Sequence, residues 1–339
     1  MASRPTTPPP APAPVPDVQG SVPETQVSLS RVGVTGVEKV LRVQADGRGP
    51  DLYYAELECF VDLEPRQAGV HMSRFEEIVN EAIDEVVLSE AFRAEVLAAH
   101  IAERVRERQQ GLRAEVSLTA RYPETTSTPA SGKPTQEIYE LLGTAVASER
   151  GTRTLTGVRA QGMTACPCAQ ELVAGLARER LAESGFDPEQ TERALEAVPV
   201  ATHNQRGIGT LQIGCPEGGA AWLDAPDLLR IVEQSMSSEI YEMMKRSDEL
   251  AVVAKAHEQP RFVEDCVREM VRRVVEGYPD LPGGAFVSAR QENLETIHRH
   301  NVVAERYGTI EDLRRELETG EHQRHHRTTR EWLEEPAAA

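Results

Sequence analysis

The stretch LYYAELECFVD, Leu52 to Asp62, alternates. Tyr53, Ala55, Leu57, Cys59 and Val61 fall on one side; Glu56, Glu58 and Asp62 fall on the other. Period two with one charged side is the pattern of a half-buried β-strand. A face of that kind must be covered by another layer, which restricts the chain to sheet architectures. The preceding run, TQVSLSRVGVTGVEKVLRV, reads as the hairpin partner. The period then changes. Phe75, Ile78, Val79, Ala82, Ile83 and Val86 recur at helical spacing, and Ser73 with Glu76 forms a capping-box start. A second helix is predicted over about 91–109. LRAEVSLTARY returns to alternation, with Ala114, Val116, Leu118 and Ala120 against Arg113, Glu115, Ser117 and Thr119. QEIYELLGTAVASE supplies a fourth strand, so the first half reads β-β-α-α-β-β.

The second half repeats the pattern without repeating the residues. TRTLTGVRAQGMT and RGIGTLQIGC are predicted strands. APDLLRIVEQSMSSEIYEMMKR, 225–246, is predicted helical throughout. So is PRFVEDCVREMVRRVVEGYPD, with Phe262, Val263, Cys266, Val267, Met270 and Val274 on one face and Gly277 and Pro279 as the stop. GGAFVSARQENLETIHRHNVVAERYG supplies two more strands. The fold class is therefore α+β, in two units of 25–150 and 151–310 with antiparallel sheets and helices on one face. A helical insertion at about 169–202 interrupts the second unit. Residues 1–24 read as a disordered proline-rich tail. Residues 311–339 read as a polar C-terminal tail whose histidines are adventitious.

Bulk properties exclude several classes. No apolar run approaches the roughly 20 residues that span a bilayer, and the N-terminus lacks an apolar signal region. Five cysteines, an odd number without an export signal, point to a reducing cytoplasm rather than a disulfide framework. A net charge of −18 without a basic face argues against a nucleic-acid partner. An anionic small molecule remains open to the chain through a local cluster of cations.

Thiolate, imidazole and carboxylate are the ordinary ligands of zinc and related metals. Candidates cluster in short motifs: Cys166 and Cys168 in MTACPC, His203 in HNQRG, Asp248 and Glu249 in MKRSDE, Glu264 and Asp265 in RFVEDCVR, and His298 and His300, with Glu295 nearby, in NLETIHRHN. On a strand, His298 and His300 would share a face. Each motif alone also fits a buried thiol, a loop histidine or a solvated charged helix face.

Together with GVHMSRFEE, these motifs in this order resemble the type IB GTP cyclohydrolases, from about Pro23 to about Tyr307. The segment after the cysteines and the PDVQGSVPETQVSLSRVGVTGVEK start resemble the archaeal branch that feeds methanopterin synthesis. The resemblance implies the bimodular tunnelling fold and a homotetramer with active sites at subunit interfaces. It implies GTP as substrate, water addition at C8 of guanine, and loss of formate. The product is 7,8-dihydroneopterin triphosphate, or its 2′,3′-cyclic phosphate in the archaeal branch. One divalent metal per site (zinc, iron(II) or manganese) would be held by Cys166, His203, Glu249 and His298, with His300 as a further catalytic histidine. Glu264 would bind guanine, and Arg74, Arg206, Lys245 and Arg246 the triphosphate. Two rivals keep parts of this picture: a nitrile-reductase-like enzyme with a cysteine nucleophile, and a non-catalytic zinc-containing scaffold.

Overall fold

The alternating runs become the rungs of one ladder. A computed structural model describes residues 17–43, 51–86, 93–216, 223–321 and 323–335. Strands β1 (Leu29–Val43) and β2 (Asp51–Leu63) form an antiparallel hairpin. Tyr53, Ala55, Leu57, Cys59 and Val61 are all buried, as the alternation requires. Helices α1 (Met72–Val86) and α2 (Ala94–Gln109) follow, then β3 (Arg113–Ser127) and β4 (Pro134–Ser148). Next come β5 (Gly151–Ala165), α3 (Pro167–Glu183), α4 (Pro188–Ala197) and β6 (Asn204–Gly214). The chain continues through α5 (Ala225–Gln234), the short β7 (Ser238–Glu239), α6 (Arg246–Glu258) and α7 (Val263–Gly277). It ends with β8 (Phe286–Leu294), β9 (Val302–Thr309), α8 (Ile310–Thr319) and α9 (Thr329–Glu334).

The strands form one antiparallel sheet in the order β1-β2-β3-β4-β5-β6-β8-β9, with β7 added to β5. The sheet is continuous across the boundary expected near residue 150, where Ser148 pairs with Gly151. Helices α1, α2, α5 and α7 bury their apolar stripes on one face. The α2 stripe is rich in small residues (Ala94, Ala98, Ala102), so the helix lies close to the strands beneath it. Gly143 on β4 makes room for its start: a Cβ there would stand 2.3 Å from the Ala94 carbonyl carbon. On α7, Val263, Cys266, Val267, Met270, Val271 and Val274 are buried, whereas Phe262 is the exposed N-cap.

Three expectations need correction. The predicted helix over 225–246 stops at Gln234. The serine-rich SMSSE that follows has better uses for its polar groups: Ser237 Oγ accepts the Ala165 N–H at 3.1 Å, and Ser238–Glu239 pairs with Met163–Gly162. His298 and His300 do not lie on a strand; they sit in the loop between β8 and β9, with their rings stacked at 5.2 Å. The polar C-terminal tail is folded. Helix α8 packs on α7 and β9, and α9 crosses to the other face of the sheet. Val146 alternates with the main-core residues Ala145 and Ala147, and on its side it joins Leu155, Phe286, Trp332 and Leu333 in a second apolar cluster. Trp332 is fully buried there. It stacks on Phe286 at 5.5 Å, lies 4.6 Å from the Arg153 guanidinium, and donates its indole N–H to Gly284 O. At the other terminus residues 1–16 lie outside the described residues. Residues 17–24 are tied to the body of the chain, with Ala68 N–H bonding Ser21 O and Gly69 N–H bonding Gln19 O.

Trp332→Ala should lower unfolding free energy by about 3–5 kcal/mol, the usual cost of emptying a buried aromatic site. Urea denaturation measures it. A change within about 0.5 kcal/mol would restore the solvated-tail reading.

Candidate active site

The pairing of β5 with β6 ends at Ala165 opposite Asn204. The next residue outward on each strand is Cys166 and His203, and Cys166 N–H donates to His203 O at 3.1 Å. Thr202 Oγ1 returns a bond to Cys166 O at 2.7 Å. Cys166 is also the N-cap of α3, its sulfur accepting the Ala169 N–H, and Pro167 occupies the first turn. A proline there costs nothing, because that N–H would be unpaired anyway. Cys168, one step further, is exposed.

Other segments are pinned to the same strand ends. Arg261 N–H, just before α7, bonds Ala165 O at 2.9 Å. Gln170 on α3 donates to His257 O at 2.7 Å, at the end of α6. Thr296 Oγ1, in the β8–β9 loop, donates to Asn204 O. The His203 ring is oriented from one side: Nδ1 lies 3.0 Å from Gln205 Oε1 and 3.9 Å from the carboxylate of Glu295, whose side chain is 7% exposed. An acceptor at Nδ1 places the hydrogen there and leaves Nε2 with its lone pair.

A cavity of about 480 Å³ adjoins these strand ends, lined by Met163, Asn204, Arg206, Tyr241, Met244 and Thr296 among others. It draws on four of the sequence motifs: Met163 from MTACPC, Asn204 and Arg206 from HNQRG, Met244 from MKRSDE and Thr296 from NLETIHRHN. Lys245 and Arg246 lie exposed at the start of α6, immediately after its wall, and Glu249 is exposed in the first turn of that helix. Two predicted residues are placed elsewhere. Glu264 lines a separate cavity of about 320 Å³ formed by α7, β9 and α8. Arg74 on α1 bonds the Arg108 carbonyl at the end of α2. Among the described residues, no group of three or more His, Cys, Asp or Glu side chains converges closely enough to hold a metal.

Sequence reasoning did not single out Glu137 or Glu233, and left Asp248 as one open metal-ligand candidate among several. Glu137 on β4 is 8% exposed and accepts the Glu242 N–H at 3.0 Å and the Thr135 hydroxyl at 2.9 Å. Asp248 is fully buried. Burial alone would raise its pKa, but bonds from Ser131, Lys245 and Ala130 outweigh that and hold it well below the usual carboxylate range. Glu233, at the end of α5, accepts the Tyr139 hydroxyl at 2.6 Å. Its pKa is pushed up to about 7, chiefly by burial and further by the charges of Glu239 and Glu137, against the Tyr139 bond. One signal for Glu137 was available: it shares the inward phase of Tyr139 and Leu141 on an alternating strand, where a charge needs partners.

A family model described as type I GTP cyclohydrolase folE2 matches residues 15–304, motifs and cavity included. The chain belongs to this family. It is 42% identical over 308 residues to the GTP cyclohydrolase MptA of Methanothermobacter thermautotrophicus, covering 89% of this chain and 96% of that one. It is 39% identical over 306 residues to the GTP cyclohydrolase MptA of Methanocaldococcus jannaschii, covering 89% and 97%. A uricase from Arthrobacter globiformis aligns over 89% of this chain and 98% of its own at a TM-score of 0.48 and 9% identity. The family match stops at residue 304, so α8 and α9 lie beyond it. Among the described residues, no helix is long and apolar enough to cross a membrane.

Glu233 makes stability depend on pH. The folded carboxyl titrates near 7 and an ordinary glutamate at 4.5. Its contribution is therefore fully present below pH 4.5 and is lost as pH rises through about 7. Glu233→Gln keeps an acceptor for Tyr139 and cannot ionise. Its stability relative to wild type should grow between pH 4.5 and 8, by on the order of 2–3 kcal/mol. Urea midpoints at the two pH values measure this, and a pH-independent gap would contradict it.

Proposed function

We propose that this chain is a metal-dependent GTP cyclohydrolase of the type IB class, acting in the archaeal manner of its MptA relatives. Water adds at C8 of guanine, the imidazole ring opens, and C8 leaves as formate. The ribose then rearranges and the ring recloses with loss of water. Attack of the 2′-hydroxyl on the α-phosphate expels pyrophosphate and gives 7,8-dihydroneopterin 2′,3′-cyclic phosphate. The triphosphate, which keeps all three phosphates, is the alternative to be read in the same assay. The observation that carries the reading is the backbone bond between Cys166 and His203 at the edge of a cavity lined by Arg206.

The donor set suits one divalent metal in kind. Sulfur from Cys166, the free Nε2 of His203, the Glu249 carboxylate and the His298 imidazole match zinc, iron(II) or manganese. Cys166 and His203 are already neighbours, and Thr296 ties the loop that carries His298 to the residue after His203. When bound, such an ion would supply water acidic enough to act near neutral pH. Glu295 and Gln205 hold the His203 ring in the tautomer a ligand needs. His300, whose ring stacks on His298, would move a proton in this reading.

Arg206, Lys245 and Arg246 supply the triphosphate contacts from this chain, where guanidinium forks fit phosphate oxygens. Glu264 would accept from the guanine N1–H and 2-amino group, a donor pair adenine lacks. Glu264 and Arg74 line no part of the cavity in their own chain, so in this reading a neighbouring copy delivers them. That favours a homotetramer of tunnelling-fold subunits, each with two β-β-α-α-β-β units, and with sites at the interfaces. The free state of all five cysteines accords with work in a reducing cytoplasm.

The test is anaerobic incubation of metal-depleted protein with GTP, adding back each metal separately, with formate and pterin mass as readouts. Formate should appear with metal and vanish with chelator. Cys166→Ala should lose metal retention and turnover together while staying folded. Substantial formate from that variant would remove Cys166 from the ligand set, and no formate from wild type with any metal would overturn the reading.

A further inference from the structure

One wall of the cavity, residues 240–245, has neither helix nor strand to hold it. It joins β7 to α6 and contributes Ile240, Tyr241, Glu242 and Met244 to the lining. Its backbone is held at two points by buried carboxylates. Glu137 takes the Glu242 N–H with both oxygens, at 3.0 and 3.3 Å. Asp248 takes the Lys245 N–H with Oδ2 at 2.9 Å. Asp248 also reaches across to the β3–β4 turn. There it accepts Ala130 N–H at 2.9 Å, Ser131 N–H at 2.7 Å and Ser131 Oγ at 2.7 Å. Glu137 stands on β4 of that same hairpin. One hairpin from the first half of the chain therefore grips the wall twice, once through its own carboxylate and once through a carboxylate from α6.

We propose that Glu137 and Asp248 are positioning residues for the cyclohydrolase reaction, fixing the 240–245 wall and with it Lys245 and Arg246 where the GTP triphosphate is held. The proposal rests on the reading that this cavity takes GTP. The chemistry of the latch requires a carboxylate. Asp248 accepts four donors and gives none, and an amide of the same shape would turn an N–H₂ toward the Lys245 N–H or the Ser131 hydroxyl. The latch acts on binding because the segment it holds carries both cavity-lining residues and Lys245, and runs directly into Arg246. Glu249 follows Asp248 directly, so its direction is set by the same anchor.

The experiment compares steady-state kinetics of metal-loaded Asp248→Asn, Ser131→Ala and wild type with GTP, alongside amide hydrogen exchange. In Asp248→Asn, KM for GTP should rise about tenfold with kcat within about threefold, as expected when one charge-assisted anchor is lost from a binding wall. Amides of 240–247 should exchange faster while the sheet keeps its protection. Ser131→Ala, which removes one bond and leaves the carboxylate, should show the same split at two- to threefold, or about that. It decides the matter alone if Asp248→Asn does not fold. A merely structural anchor would lower kcat with the folded fraction and leave KM unchanged, and that outcome in the folded variants overturns the proposal. Wild type that releases no formate from GTP overturns the functional reading first, and this inference with it.

Discussion

The antiparallel pairing of β5 with β6 is the constraint on which the site depends. Its register places Ala165 opposite Asn204, so the chain leaves the sheet at Cys166 and enters it at His203 on the same end. Between those points α3 and α4 intervene, yet the Cys166–His203 backbone bond closes the gap. A slip of one residue would turn every side chain of β6 to the other face. Burial forbids that, because Leu211 and Ile213 are needed in the core. The apolar phase of the strand thus sets where Cys166 and His203 meet beyond its end.

The electrostatics of the molecule are arranged in layers. The net charge is −18, which by itself would repel a nucleotide. The cations proposed for phosphate are exposed: Arg206 lines the cavity from β6, and Lys245 and Arg246 follow its 240–244 wall at the start of α6. Behind the wall lie carboxylates that are either fully bonded, as Asp248 is, or held near neutral pH by burial, as Glu233 is. Lys255 on α6 pairs with Glu239 of β7, which ties the helix to the added strand. Buried acids of this kind cost stability unless every oxygen is used. Asp248 meets that condition with bonds from residues more than a hundred positions away.

The second apolar cluster gives the sheet cover on its other face. Leu155, Phe286 and Val146 would otherwise leave apolar surface open near one end of the strands, and α9 with Trp332 closes it. Gly214 is part of the fit, since a Cβ there would stand 2.4 Å from the Trp332 ring. This strap lies beyond residues 15–304, the span that the family model matches.

What the sequence alone determined is the set of elements and their buried faces. Period-two runs such as Leu52–Asp62 and helical runs such as Val263–Val274 carry their own burial pattern, because side-chain phase follows from backbone geometry. The motif order was equally legible and led to the family. Tertiary structure alone decided the rest. Whether SMSSE continues a helix depended on Ala165 offering an N–H to Ser237, a contact 72 residues apart in the chain. Whether the C-terminus was a tail depended on an apolar hollow built by β4, β5 and β8. Glu137 and Asp248 became anchors only when the β3–β4 hairpin met the segment leading into α6, since a carboxylate in a charged helix or an alternating strand reads as solvated until its partners are known. Local phase is written residue by residue, but hydrogen-bond partners across long loops are chosen by packing.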